Sequence, residues 1–250
     1  MCTLTWLTTE SGYQVFFNRD ELKSRQRALP PQLHREGVVT YIAPTDPDAG
    51  GSWISTNQLG VTLCLLNNYH ALIPPRHNWI SRGLLVTDLA QQLTAQAVLS
   101  DLTQKNLDHF KPFDLLIFSR RDLPLQISWD GVSLSEKTNP EAPITSSSFS
   151  TTTAIRNRLA HLVNAPRLST DLLREYHAGH LPEKGPYSVC MHRDDASTVS
   201  FSHIQVDDLG TTFHYWDGPP CEALDKAPVT IKVAKEDFTN SPKMKQPAQG

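Results

Sequence analysis

The chain has 250 residues, 39% of them hydrophobic and 8% aromatic, with a formal net charge of -3. That length suits one large domain, and the slightly acidic balance gives no basis for a nucleic-acid or anionic-membrane partner. Mean hydropathy is -0.36 and the apolar runs are short, so no membrane span is indicated.

Residues 3–9 (TLTWLTT) and 13–17 (YQVFF) are rich in β-branched and aromatic residues and flank Glu10-Ser11-Gly12, which predicts a hairpin. Residues 18–31 are charged and end in Pro-Pro, so a loop is expected, followed by a strand over 38–42. After a turn region at 44–51, strands are expected at 52–55 and 60–66; the second is a continuous apolar run, which implies burial on both faces. It ends in Asn67-Asn68-Tyr69, where polar amides either form a turn or donate hydrogen bonds into a site.

Ser81 is a candidate N-cap, and Leu85, Leu89, Leu93 and Ala97 at four-residue spacing predict one helix face. Residues 113–118 (FDLLIF) read as a buried strand, and Asp130-Gly131 as the turn of a hairpin. The hydroxyl-rich stretch 145–153 (TSSSFSTTT) is either a helix-capping loop or a strand end lining a site. Helices are expected from about Ala154 and over 169–178, then strands at 187–191 (YSVCM), 198–206, 211–215 and 229–233. The Lys-, Pro-, Gln- and Gly-rich tail is expected to be mobile. Many strands, two helical blocks and more strands argue for one α+β domain, assigned to residues 1–221, with 222–250 as a C-terminal extension.

No basic n-region followed by an apolar h-region stands at the start, so a cytoplasmic location with reduced thiols is expected. The four cysteines, Cys2, Cys64, Cys190 and Cys221, form no CxxC pair. Among ten histidines, His177 and His180 are three apart and His70 and His77 flank a Pro-Pro loop, but neither pair has a third ligand nearby in sequence. No metal site and no cofactor are expected.

The stretch that carries chemistry is the N-terminal one. If Met1 is removed, the Cys2 thiol and a free α-amine share one residue. A hairpin brings Asn18-Arg19-Asp20-Glu21 back to the level of Cys2. A free thiol is poorly ionised at neutral pH. A neutral α-amine can act as its base, a guanidinium favours thiolate and oxyanion, and a carboxylate can orient either cation. Trp6, Trp53, Tyr69 and Trp79 are candidates for an apolar pocket wall, although aromatic residues are more often core.

The set Met1-Cys2, Asn18-Arg19-Asp20-Glu21 with Arg25, Gly50-Gly51-Ser52-Trp53, Gly60 to Tyr69 and Ser81-Arg82-Gly83 resembles the NRDE-motif family, the bacterial relatives of transport and Golgi organisation protein 2. Thr145 to Ser148, Ser188 to Arg193 and Thr198-Val199-Ser200 look like its bacterial branch. The resemblance implies an N-terminal-nucleophile (Ntn) hydrolase-like αββα four-layer sandwich: two antiparallel sheets with flanking helices. It also implies a distant likeness to cysteine Ntn hydrolases of linear amides. By that likeness Cys2, Arg19, Asp20, Asn68 and Arg193 are the candidate catalytic residues. Asn67 is the alternative to Asn68 if the register slips by one; Asn67, Ser147, Ser148 and Trp53 are the candidate substrate contacts. The partner expected is a small-molecule substrate or ligand, with oligomeric state unread. The alternative function is non-catalytic binding and trafficking of haem or a lipid or acyl ligand on the same fold.

Overall fold

The structure, a computed structural model, describes residues 2–71, 73, 78–148, 150–163 and 167–235. Met1, His77 and the tail beyond 235 therefore lie outside the described residues. In chain order the elements are β1 (Cys2–Thr9), β2 (Gly12–Leu22), β3 (Leu29–Glu36), β4 (Val39–Thr45), β5 (Ile54–Asn57), β6 (Thr62–Asn67), α1 (Gly83–Leu89), α2 (Ala95–Gln104), β7 (Phe113–Phe118), β8 (Leu125–Trp129), β9 (Leu134–Thr138), β10 (Ile144–Ser146), α3 (Thr151–Val163), α4 (Thr170–Ala178), β11 (Ala196–Asp207), β12 (Gly210–Trp216), α5 (Pro220–Ala223) and β13 (Val229–Ala234).

The strands form two antiparallel sheets. One has the order β10-β1-β2-β11-β12-β13 and the other β3-β4-β5-β6-β7-β8-β9. Strand alternation sorts their side chains into layers. Leu4, Trp6, Tyr13, Val15 and Phe17 of the first sheet pack between the sheets on Ile42, Ile54, Cys64, Leu66, Leu116 and Phe118 of the second. The outer face of the second sheet, with Leu63, Leu115 and Ile117, packs on Leu85, Val86, Leu89 and Val98 of α1 and α2. On the outer face of the first sheet, Phe16 and Phe201 meet Leu173 of α4 and Ala223 of α5. The result is the α+β sandwich expected from the sequence, with helices outside both sheets.

Three local expectations are corrected. The charged segment after Phe17 stays strand to Leu22 and only 23–28 is the expected loop, because β11 supplies the ladder: Phe201 pairs with Asn18, Ser200 with Arg19 and Thr198 with Asp20. Pro30 and Pro31 likewise lie in a strand, β3, at a sheet edge where a missing N–H is tolerated. The single helix expected from Leu85 to Ala97 is two. Asn57 Nδ2 donates to the Ala90 and Gln92 carbonyls after α1, and Thr94 starts α2 by accepting from the Ala97 N–H. Residues 187–191 form no strand, because Ser188 folds them locally. Its hydroxyl lies within hydrogen-bond reach of the carbonyls of Gly185 at 2.9 Å and Cys190 at 2.6 Å, the shorter contact taking its one proton. Beyond residue 221 the chain still adds to the fold, since β13 pairs with β12.

Candidate active site

Cys2 stands at the head of β1, between two strands. It pairs with Arg19 of β2 on one side and with Ser146 of β10 on the other. The hairpin sets the first pairing: Thr9 opposes Gly12, and each step back along β1 is one step on along β2. The Cys2 N–H donates to Ser146 Oγ at 3.1 Å, and Thr145 Oγ1 donates to the Cys2 carbonyl at 3.1 Å. Ahead of Cys2 opens a cavity of about 480 Å³, bordered by Arg19, Trp53, Asn67, Tyr69, Trp79 and Arg82 among others.

Alternation along β2 splits the charged motif between two faces. Arg19 shares the inner face with Cys2. Its guanidinium lies 4.1 Å above the Trp53 ring and pairs with Glu21 at 3.3 Å and Asp46 at 3.2 Å. Arg25 closes the network onto Asp46 at 2.6 Å and onto Glu21 and Asp48, each at 3.5 Å. Arg19 is thus a planar cation held from three directions, a geometry that lysine cannot reproduce.

Asp20 turns its carboxylate to the opposite face. Oδ1 accepts from Thr198 Oγ1 at 2.6 Å, and Oδ2 lies 3.5 Å from Nη2 of Arg158 on α3. Arg158 is fully buried and donates through Nη1 to Thr3 Oγ1 at 2.7 Å and Thr145 Oγ1 at 2.8 Å. Asp20 therefore engages Arg158, on the face of the sheet opposite Arg19.

Burial dominates the Cys2 thiol and pushes its pKa up. The Asp20 carboxylate pushes it up as well, and the Asp20 backbone N–H and the Arg19 cation pull it down more weakly. Burial therefore favours the thiol over the thiolate. Burial also draws the Arg82 guanidinium below its ordinary value, while Nη1 donates to the Pro112 carbonyl at 2.8 Å.

The other candidates divide. Asn67, Trp53, Ser148 and Arg193 border the cavity. Arg193 also pairs with Asp195 at 2.7 Å. Asn68 is a turn former, its Oδ1 accepting from the N–H groups of His70 and Ala71, and it is not among the cavity's bordering residues. Asn67, one residue back, takes the cavity position and donates to Tyr69 Oη at 2.7 Å. Ser147 is buried, whereas Ser146, beside it, meets Cys2. Sequence reasoning missed Ser146, Arg158, Thr198, Glu21 and Asp46 as site residues. Ser146, Glu21 and Thr198 each lay inside a stretch the sequence singled out, whereas Arg158 and Asp46 carried no such signal. Among the described residues, the group of histidines and cysteines close enough to hold a metal ion, His180, Cys190, His192 and Cys221, lies outside this cavity.

The family profile described as Transport and Golgi organisation 2 matches residues 1–177. The chain belongs to that family. No curated protein matches it in sequence. Among solved structures, penicillin V acylase from Agrobacterium tumefaciens is similar at a TM-score of 0.57 and 10% identity, over 94% of this chain and 86% of that one. A Caenorhabditis elegans orthologue of N-acylethanolamine-hydrolyzing acid amidase gives 0.56 and 11%, over 82% and 92%. The C2A mutant of conjugated bile acid hydrolase from Clostridium perfringens gives 0.50 and 13%, over 94% and 98%. At such identities the likeness shows the fold alone, and that fold is the Ntn-hydrolase sandwich.

Proposed function

We propose that this family member is a cysteine N-terminal-nucleophile hydrolase of linear amides, acting through Cys2 once Met1 has been removed. The observation that carries the reading is the position of Cys2: head of a strand paired on both sides, nitrogen held by Ser146, Arg19 directly across, and a cavity in front.

In this reading the neutral α-amine of Cys2 takes the thiol proton as sulfur attacks the amide carbonyl carbon. A C–S bond forms and the carbonyl electrons move to oxygen. The amine returns its proton to the leaving nitrogen as the C–N bond breaks, which leaves a thioester. Water, deprotonated by the same amine, adds to the thioester and releases the acid and the thiol. Arg19 stabilises developing negative charge. The amide-donor role first assigned to Asn68 falls to Asn67, with Arg82 as a second donor at the cavity wall. Asp20 acts through its backbone N–H toward sulfur, while its carboxylate anchors the strand. Arg193 and Ser148 at the rim, and Trp53, Tyr69 and Trp79 along the walls, contact the substrate.

The test is a screen of N-acyl amides with the wild-type chain and with Cys2→Ala and Cys2→Ser. Loss of turnover with unchanged circular dichroism is expected. Undiminished hydrolysis by Cys2→Ala overturns the proposal.

A further inference from the structure

A second reactive cluster is built from residues that do not border the cavity. His180, Cys190, His192 and Cys221 are scattered over forty-two positions of sequence, yet their ligand atoms all lie within 4.8 Å of one another. His192 Nε2 is the hub. It is 3.2 Å from His180 Nε2, 3.6 Å from Cys190 Sγ and 3.5 Å from Cys221 Sγ.

Hydrogen bonding does not account for this hub. An imidazole nitrogen carries either one proton or one in-plane lone pair, so it makes one good hydrogen bond, not three. The three spacings from His192 Nε2 do match edges of a coordination tetrahedron, and the remaining pairs lie within 4.8 Å. With Zn–N near 2.0–2.1 Å and Zn–S near 2.3 Å, the N–N edge is about 3.3 Å and the N–S edge about 3.6 Å.

We infer that His180, Cys190, His192 and Cys221 bind one zinc ion as a closed Cys2His2 site. Two imidazoles and two thiolates suit zinc in softness and geometry, and four protein ligands leave no open position, which marks a structural site rather than a catalytic one. Binding releases one proton from each thiol to solvent, so the zinc and its two thiolates together are uncharged. That suits a site in which Cys190 is buried and the other three ligands are half-buried.

The surrounding fold gives such an ion a purpose. Three ligands come from the irregular segment between α4 and β11, and the fourth from α5. A segment of that length without regular structure needs an anchor to be ordered. Through it the ion would brace the charged strand. The Met191 N–H donates to Thr198 Oγ1 at 2.8 Å, which donates in turn to Asp20 Oδ1, and the Val189 carbonyl accepts from Asn18 Nδ2 at 3.1 Å. The ligand spacing matches no zinc-knuckle pattern, and so the site is visible only in three dimensions.

The experiment uses the full chain, free of any polyhistidine tag and kept reduced. Elemental analysis is expected to find one zinc per chain. Chelator-stripped protein titrated with cobalt(II) is expected to show tetrahedral d–d bands and thiolate-to-cobalt charge transfer that saturate at one equivalent. Cys221→Ser should weaken the charge-transfer band, and His180→Ala should lower zinc affinity by at least about 10-fold, the loss that even an outer partner of a ligand can cause. Cys2→Ala should leave the cobalt spectrum unchanged, which separates this site from the proposed nucleophile. If a ligand variant does not fold, the wild-type stoichiometry and spectrum decide. Reduced wild-type protein that takes up neither metal overturns the inference. So does a cobalt spectrum that persists in Cys190→Ser/Cys221→Ser, or a Cys190–Cys221 disulfide with no metal uptake after its reduction.

Discussion

Asp20 and Arg158 meet as an ion pair at 3.5 Å with neither side chain exposed to solvent. Because Asp20 faces the helix layer and Arg19 faces the cavity, two adjacent residues hold β2 from both sides. Arg158→Met takes from a buried carboxylate the cation that faces it, and it is expected to cost about 3–5 kcal/mol in urea unfolding. Adding Asp20→Asn should recover part of that loss, since the two residues share one interaction. A cost for Arg158→Met below about 1 kcal/mol would show that the pair does not anchor the strand.

The Cys2 thiol is pushed up mainly by burial. Its alkylation rate should therefore keep rising with pH beyond the range in which an exposed cysteine levels off. Arg19→Met removes the weakest of the influences that favour thiolate, and should slow labelling at a fixed pH by a factor below about 10. Stopped alkylation followed by peptide mapping measures both, and a faster Arg19→Met protein would reverse the assigned sign.

His177 and His203 are both held neutral, burial being the first cause, with pKa values lowered to about 3. In the unfolded chain they take up protons as pH falls through about 6.5, while the native state does not until about 3. The unfolded state thus binds more protons between these limits, and stability is lost as pH falls through that window. Each histidine contributes a slope of up to about 1.4 kcal/mol per pH unit. His203→Gln should make the fall in unfolding free energy between pH 6 and 4 shallower by about that amount. An unchanged slope contradicts the assignment.

Gly51 borders the cavity where β5 approaches the start of α1. A Cβ there would lie 2.3 Å from the Gly83 carbonyl carbon, and backbone cannot yield cheaply at that distance. Gly51→Ala is expected to destabilise the chain by about 1–3 kcal/mol and to raise Tyr69 and Trp79 mobility at the cavity wall. Thermal unfolding checks the first effect and side-chain NMR relaxation the second; a neutral substitution would count against this close approach.

What was legible in the sequence was what local pattern controls. The first hairpin followed from alternation and a short turn, and its register alone set Arg19 opposite Cys2. The sandwich of sheets and helices followed from element order together with the family motifs. What was not legible depended on distant partners. The charged end of β2 looks like a loop because nothing nearby announces that β11 will complete its ladder. YSVCM has strand composition, but the Ser188 hydroxyl competes for its backbone. Arg158 reads as an ordinary helical arginine until Asp20, Thr3 and Thr145 are brought against it. The choice between Asn67 and Asn68 required the turn at His70 and Ala71, whose N–H groups claim Asn68.

The central claim is that Cys2 is an N-terminal nucleophile. Its most direct test is intact mass of the purified protein before and after brief incubation with an activated acyl ester. The account predicts a mass lacking Met1, then one hydroxylamine-labile acyl adduct that maps to Cys2 and is missing from Cys2→Ala. Retained Met1, or an adduct unchanged in Cys2→Ala, would contradict it.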